Sequence, residues 1–280
     1  MKIDAHQHFW NPARGDYGWL TPDNSLYRTF GPDDLAPQMR AAGVEATILV
    51  QAAPTAAESD YLLDITRRTP WVLGIVGWID LEAPDAAVQV KARAANPLFL
   101  GLRPMLQDIA QRDWILESRL APALTAVAEE GLVFDALVRD NQVSVVDELA
   151  GRYPTLAIVL DHGAKPKLGN ASAMAAWGAD IAKLARRTNV CCKLSGLVTE
   201  LSAGDGAAEV KEAAEVLFAE FGPQRLIWGS DWPVLTSSHF NGNYHAWHEE
   251  ALALVAAHGA TQGVMGGNAA RIYKPMRAKS

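Results

Sequence analysis

Short apolar runs alternate along the chain with stretches in which apolar residues recur at helical spacing. Most of these runs lack the apolar/polar alternation of a strand with one solvated face, so we expect both faces to be buried. This order predicts repeated βα units, which build a parallel sheet with crossover helices. The predicted strands are Lys2–His8, Ala46–Gln51, Val72–Ile79, Leu98–Arg103, Leu132–Val138, Leu156–Asp161, Val190–Leu194 and Leu226–Asp231.

Three of the intervening helices show an apolar face and a closing glycine that can adopt the left-handed C-terminal conformation. The apolar faces and their closing glycines are as follows: Leu35, Met39 and Ala42 before Gly43; Leu120, Leu124 and Val127 before Gly131; and Val143, Val146 and Leu149 before Gly151. Eight βα units without an interdomain linker predict an α/β fold, a single (β/α)₈ TIM-type barrel domain spanning 1–280. An open doubly wound sheet is the alternative, but the glycine-rich dinucleotide turn is absent after the first strand.

Composition narrows the possible partners. The 280 residues carry 25 basic and 32 acidic side chains, a net charge of -7, with no cluster of Lys and Arg, so nucleic acid is not an expected partner. No apolar run reaches the roughly 20 residues that cross a bilayer. The first predicted strand begins too early for a secretion signal, and Cys191 and Cys192 suit buried thiols. We therefore expect a cytoplasmic protein that binds a small molecule, with a homo-oligomer left open.

His6 and His8 flank Gln7 at the end of the first predicted strand. Because strand side chains alternate, both imidazoles project to the same side. If that side is the barrel interior, they lie at the carboxyl-terminal mouth, where barrel enzymes place catalysis, and could hold a divalent metal. The alternative is a pair of hydrogen-bonded core histidines.

His162 and Asp231 end the sixth and eighth predicted strands. A closed barrel would bring them to His6 and His8, giving three imidazoles and a carboxylate with room for a water, which suits one catalytic zinc. Asp231 could ligate the metal and could also transfer the proton of the attacking water. It could instead cap a helix, although the Trp-Pro that follows disfavours an immediate helix start.

Further polar and aromatic residues near strand ends are candidate substrate contacts. Arg103 should pair with a carboxylate of the protein or of a ligand, and we predict substrate contact. Lys193 and Asp135 could contact substrate or form an interior ion pair. Trp78 and Trp232 could stack on a sugar or cover the rim.

Four histidines follow the eighth predicted strand. His239 could reach the pocket from its loop, whereas those of the amphipathic stretch Tyr244–Ala257 are expected at the surface.

With these residues laid out, the chain resembles the amidohydrolase superfamily, in particular its lactonase group of L-fuconolactonases, L-rhamnonolactonases and 2-pyrone-4,6-dicarboxylate lactonase. The resemblance implies hydrolysis of a sugar lactone, with catalytic and metal-binding roles for His6, His8, His162 and Asp231 and substrate binding by Arg103. Arg103 would then pair with the carboxylate of the product. The segments that carry the resemblance are Ile3 to Trp10, Gly101 to Arg103, Leu160 to Gly163, Trp228 to Pro233 and Gly266 to Tyr273.

The sequence departs from the two-metal members of the superfamily. Those members carry a carboxylated Lys or a Glu in the fourth strand and a His in the fifth, where this chain has Arg103 and Asp135. We therefore expect one divalent metal, zinc, or none, since some lactonases of this group are thought to act without one. Two alternatives stay open: a decarboxylase built on a similar His and Asp set, and a ligand-binding barrel that has lost catalysis.

Overall fold

The computed structural model describes residues 1–238 and 242–275; His239 lies outside them. It contains eight parallel strands in sequential order, so each strand pairs with its neighbours along the chain. The strands are β1 Ile3–Gln7, β2 Ala46–Val50, β3 Val72–Gly77, β4 Phe99–Leu102, β5 Val133–Ala136, β6 Ile158–Leu160, β7 Val190–Leu194 and β8 Leu226–Trp228. All eight predicted strands are present, most of them shorter than predicted by one to three residues at an end.

The barrel closes between the end of β1 and the residues that follow β8. Gln7 forms a parallel bridge with Trp232. The His8 amide donates to the Trp232 carbonyl and the Asp231 amide donates to the His6 carbonyl, both at 2.7 Å. The chain therefore forms a TIM-type (β/α)₈ barrel, and the hydrogen bonds that close it run through residues predicted to build the site.

Helices cover the outside of the barrel and bury the apolar faces that the sequence predicted. Leu35, Met39 and Ala42 of the first helix are buried, and Gly43 ends it at φ 65°. The helices are α1 Pro32–Ala42, α2 Ala56–Arg68, α3 Ala86–Ala94, α4 Ala121–Glu129, α5 Val143–Arg152, α6 Ala171–Leu184, α7 Ala207–Phe221, α8 Tyr244–Ala257 and α9 Asn268–Tyr273.

Two details of the helix predictions are wrong. Gly151 does not end α5, which continues through Arg152, and it does not adopt the left-handed conformation that Gly131 adopts after α4. His248 of α8 is not at the surface: it is buried and its ring lies 5.4 Å from that of Trp228, because the helix turns this face towards the barrel.

Apolar residues form two cores, one between the helices and the outer faces of the strands and one inside the barrel. Tyr273 of α9 belongs to the interior core and is buried there, so the last helix supplies a side chain to the barrel interior. No helix among residues 1–238 and 242–275 has the length and apolar character needed to span a membrane.

Candidate active site

Three imidazoles surround one carboxylate oxygen at the mouth of the barrel. Asp231 Oδ1 lies 3.7 Å from His6 Nε2, 3.3 Å from His8 Nε2 and 3.9 Å from His162 Nε2. All four residues are at most 4% exposed. The structure thus brings together the side chains that the sequence places at the ends of the first, sixth and eighth strands.

Two of these four residues have an unusual backbone conformation. Asp231 lies at φ 58°, and His162 begins four consecutive left-handed residues that end at Lys165. The left-handed conformation costs a non-glycine residue about 1–2 kcal/mol. Such strain is concentrated at functional sites, where the surrounding structure holds a side chain in a required direction. Here the left-handed backbone directs the side chains of His162 and Asp231 towards His6 and His8.

Hydrogen bonds on the far side of the rings orient two of the imidazoles. His8 Nδ1 lies 2.8 Å from the Val50 carbonyl oxygen, and His162 Nδ1 lies 2.9 Å from Ser195 Oγ. Because a carbonyl only accepts, His8 must carry its proton on Nδ1, and the Nε2 of the neutral ring then presents a lone pair to Asp231. Two acceptor atoms face each other at 3.3 Å, an arrangement that a cation between them would stabilise.

Burial controls the ionisation of this cluster. Desolvation lowers the pKa of His162 to about 4 and also lowers the pKa values of His6 and His8, with the Lys193 ammonium adding to the effect on His6. Burial alone would raise the pKa of Asp231, but the surrounding imidazoles, His162 foremost, hold it below its usual range. The site therefore holds neutral imidazoles around an ionised carboxylate, the protonation state in which these groups bind metals.

The donor atoms fit one divalent cation. His6, His8 and Asp231 each offer a ligand atom within 4.8 Å of the other two. Four ligands placed 2.0–2.1 Å from one tetrahedral zinc are about 3.3 Å apart, close to the separations around Asp231 Oδ1. A second possible group contains His6, Asp161 and His162. It is less suited to a metal, because Asp161 already pairs with Lys193 Nζ at 3.0 Å.

Lys193 lies beneath the site, inside the barrel. Its ammonium donates to Asp135 Oδ2 at 2.5 Å and lies 3.0 Å from His6 Nδ1, and Tyr273 Oη donates to Asp135 Oδ1 at 2.8 Å. Lys193 is fully buried and is not among the residues that line the cavity, so its predicted contact with substrate stays a prediction. The alternative interpretation, an interior ion pair with Asp135, is the one that the structure contains.

Arg103 lies in the wall of the cavity above the cluster, but protein groups already occupy much of its guanidinium. Nη2 donates to the Gln51 carbonyl, and Nη1 lies 3.4 Å from Asp161 Oδ2 and 3.3 Å from His6 Nε2. Of the two partners that the sequence allowed for this residue, the protein carboxylate is present. Arg103 also lines the cavity, so contact with a substrate remains sterically open to it.

The cavity at the mouth has a volume of about 220 Å³. This is below the roughly 300–1,000 Å³ of pockets for drug-sized ligands and suits a small substrate. Its lining residues are His8, Trp19, Ala52, Arg103, Met105, Gln107, Asp108, Leu137, His162, Lys165, Thr199, Asp231 and Val234.

Neither predicted tryptophan contact lines this cavity. Trp232 is 1% exposed and packs edge-on against Phe9 and Phe30, so it supports the rim. Trp78 lines a neighbouring cleft together with Trp114. The tryptophan that does line the cavity is Trp19, whose indole nitrogen donates to the Ala52 carbonyl at 2.8 Å.

Sequence reasoning also missed residues that position or neighbour the cluster. Ser195 and Gly196 directly follow β7 and meet the ring of His162, and a polar Ser-Gly pair at a strand end was the available signal. Lys165 lies three residues beyond His162 and lines the cavity. Its placement depends on the left-handed turn, which nothing in the composition of that segment predicts.

The fold is a closed parallel barrel, and its mouth holds three neutral imidazoles and one ionised carboxylate. This class of barrel protein has a site suited to a divalent metal and a small ligand. Comparison with known proteins gives the family. The family model described as Amidohydrolase matches residues 3–274. The chain therefore belongs to the amidohydrolase family.

Two curated relatives match nearly the whole chain. One, from Burkholderia ambifaria, is named L-fucono-1,5-lactonase and is 42% identical over 278 residues, 98% of this chain and 96% of its own length. Another of that name, from Burkholderia multivorans, is 35% identical and covers the same shares. A solved amidohydrolase structure from Burkholderia multivorans, with bound zinc, superposes with a TM-score of 0.91 at 33% identity, covering 98% of this chain and 99% of that one. The family and this zinc-bound relative suggest a divalent metal.

Proposed function

We propose that this protein hydrolyses the ring ester of a small sugar lactone, with L-fucono-1,5-lactone as the first candidate. The observation that carries the proposal is Asp231, held ionised among three neutral imidazoles at the base of a small cavity. The names of the two curated relatives supply the substrate class. The same names favour lactone opening over the decarboxylase alternative.

The reaction adds water to the carbonyl carbon of the lactone and breaks the bond from that carbon to the ring oxygen. One proton of the water ends on the ring oxygen, and the product is a hydroxy acid. Asp231 takes this proton and returns it, a role commonly worth about 10²–10⁴-fold in rate. Its lowered pKa keeps the carboxylate ionised and available to accept the proton at neutral pH.

His6, His8, His162 and Asp231 would hold one zinc ion. When bound, such an ion polarises a carbonyl oxygen and lowers the pKa of water. The chain itself fixes the ligand geometry: the Val50 carbonyl and the Ser195 hydroxyl bind the Nδ1 atoms of His8 and His162 and so direct both Nε2 atoms to the centre.

Arg103 is proposed to contact a neutral oxygen of the lactone, because it lines the cavity while protein acceptors already compensate much of its charge. The same network fixes the side chain to Gln51 and Asp161, so its position does not depend on a ligand.

A pH-indicator assay tests the proposal. Wild-type protein is offered L-fucono-1,5-lactone and a panel of L- and D-aldonolactones, and acid release is followed together with carbon dioxide. We expect acid without carbon dioxide, and a loss of about 10²–10⁴-fold in kcat for Asp231→Asn. Asp180→Asn, which alters an exposed carboxylate on α6, serves as the matched control. No acid from any lactone with the zinc-loaded wild type would refute the proposal.

A further inference from the structure

Lys165 stands out among the groups that line the cavity because its ammonium group forms no ion pair with a described carboxylate, although its charge does act on the nearby Glu200. The part of the chain that the structure describes shows neither an ion pair nor a side-chain hydrogen bond for its ammonium group, and Lys165 is a half-buried residue that lines the same cavity as His162 and Asp231. Arg103, the other cation in this wall, is paired with Asp161 and donates to Gln51.

The backbone at Lys165 is a second, independent observation. Its φ of 53° and ψ of 67° end the left-handed turn that begins at His162. A side chain disfavours this conformation, and so does the following residue Pro166, which favours an extended backbone before it. Glycine or asparagine would fit the position with less strain. A long cationic side chain is nevertheless placed there, and the turn brings it to the cavity.

The charge of Lys165 acts on the site. Its ammonium is among the groups that lower the pKa of His162, after burial, and it also lowers the pKa of the neighbouring Glu200, which burial raises overall. Its charge therefore acts on the same stretch of cavity wall as His162.

We propose that the ammonium group of Lys165 binds the anionic oxygen that lactone opening creates, first as charge develops on the attacked carbonyl and then as the carboxylate of the hydroxy acid. This rests on the proposed lactone hydrolysis and moves the role expected of Arg103 to Lys165. The lactone itself is neutral, so Lys165 contributes little to its binding and more to the later, charged states. Electrostatic groups directed at developing charge act on kcat in this way.

Three variants of the zinc-loaded protein test this. Lys165→Asn removes the charge and retains a residue that tolerates the left-handed conformation. Lys165→Arg keeps the charge, and Lys167→Asn removes an exposed lysine two residues away that pairs with Asp140 instead of lining the cavity. Binding of L-fuconate, the hydroxy acid of L-fucono-1,5-lactone, is measured by calorimetry without turnover. L-fucose serves as the uncharged probe.

For Lys165→Asn we expect L-fuconate to bind at least tenfold more weakly, the loss typical of a removed charge-assisted hydrogen bond. L-fucose binding and the KM for the lactone should change less than threefold, while kcat falls. Lys165→Arg should recover most of the L-fuconate affinity, and Lys167→Asn should match the wild type.

The inference is overturned if Lys165→Asn binds L-fuconate as the wild type does, if it loses L-fucose and L-fuconate equally, or if the wild type shows no measurable L-fuconate binding. Because calorimetry needs no catalysis, these outcomes are separate from failure of the proposed function, which appears as absent lactone hydrolysis by the wild type.

Discussion

Gly196 offers a test of whether the position of His162 limits catalysis. This glycine follows β7 at φ +60°, and a Cβ added there would lie 2.3 Å from Nδ1 and 2.6 Å from Cγ of the His162 ring. The substitution Gly196→Ala therefore forces the imidazole to move, because the ring lies directly over the glycine.

The size of the displacement follows from these distances. Ordinary contact with a Cβ begins at 3.4 Å, so the ring must retreat by the difference between 3.4 and 2.3 Å, or about 1.1 Å. This would stretch the 2.9 Å contact between His162 Nδ1 and Ser195 Oγ and move Nε2 relative to Asp231. A misplacement of about 1 Å in a catalytic arrangement costs about 10²-fold in rate. The left-handed backbone adds about 1–2 kcal/mol of destabilisation.

The matched control is Gly259→Ala. Gly259 has nearly the same backbone angle, φ +62°, and an added Cβ there meets no atom within 4 Å. In urea, Gly259→Ala should lose about 1–2 kcal/mol of the free energy of unfolding from the left-handed backbone alone, and Gly196→Ala should lose about 1–3 kcal/mol more from the clash with the buried ring.

We expect only Gly196→Ala to lose about 10²-fold in kcat/KM in the pH-indicator assay, with lower zinc affinity by competition with a chelator. If Gly196→Ala stays within twofold of Gly259→Ala in both readouts, the position of His162 does not limit the reaction and the geometric argument fails.

Three other predictions follow from buried polar contacts. Ser195→Ala removes the group that orients His162 and should lower zinc affinity about 10–100-fold in chelator competition; unchanged zinc affinity would contradict this. Because the substitution leaves the buried Nδ1 of His162 without a partner, the zinc-free form should also lose about 1–3 kcal/mol in urea unfolding. Tyr273→Phe leaves Asp135 Oδ1 without its donor and should cost about 1–3 kcal/mol in urea unfolding; equal stability would contradict this. Burial raises the pKa of Glu58 to about 7, so the folded state binds its proton more tightly than the unfolded chain. The associated stabilisation is present below about pH 4.5 and is lost as the pH rises through 7. Melting temperatures should therefore fall more between pH 5 and 8 in the wild type than in Glu58→Gln, and parallel curves would refute the assignment.

The strands and the histidine pair could be predicted because they follow simple periodicities. Continuous apolar runs indicated strands that are buried on both faces, and alternation placed His6 and His8 on one side of β1. The sequence also contained enough to locate Lys193. It lies two residues after the interior residue Cys191 along β7, and residues two apart in a strand share a face, so its side chain points into the barrel, where Asp135 lies.

The meeting of His162 and Asp231 was predicted although both follow strand ends, but the contacts of Trp232, Lys165 and Arg103 were not, because the backbone leaves the regular strand conformation there. Asp231 lies at φ 58°, and the chain direction changes at that point, so Trp232 packs under the rim. Three of the four left-handed residues in the turn after β6 are not glycine, so the sequence has little local signal for the turn that brings Lys165 to the cavity. Whether Arg103 met a protein or a substrate carboxylate depended on the depth of Asp161 in the barrel, which spacing does not give.

The closing hydrogen bonds of the barrel have a consequence for how activity is acquired. They link the His6 carbonyl to the Asp231 amide and the Trp232 carbonyl to the His8 amide. The first and last strands must therefore meet before any of the reaction chemistry is assembled, and an intermediate lacking that junction would carry no partial activity. If the chain were divided into two fragments at a point between two strands, each fragment alone would be inactive, and activity would return only after the fragments reassociate.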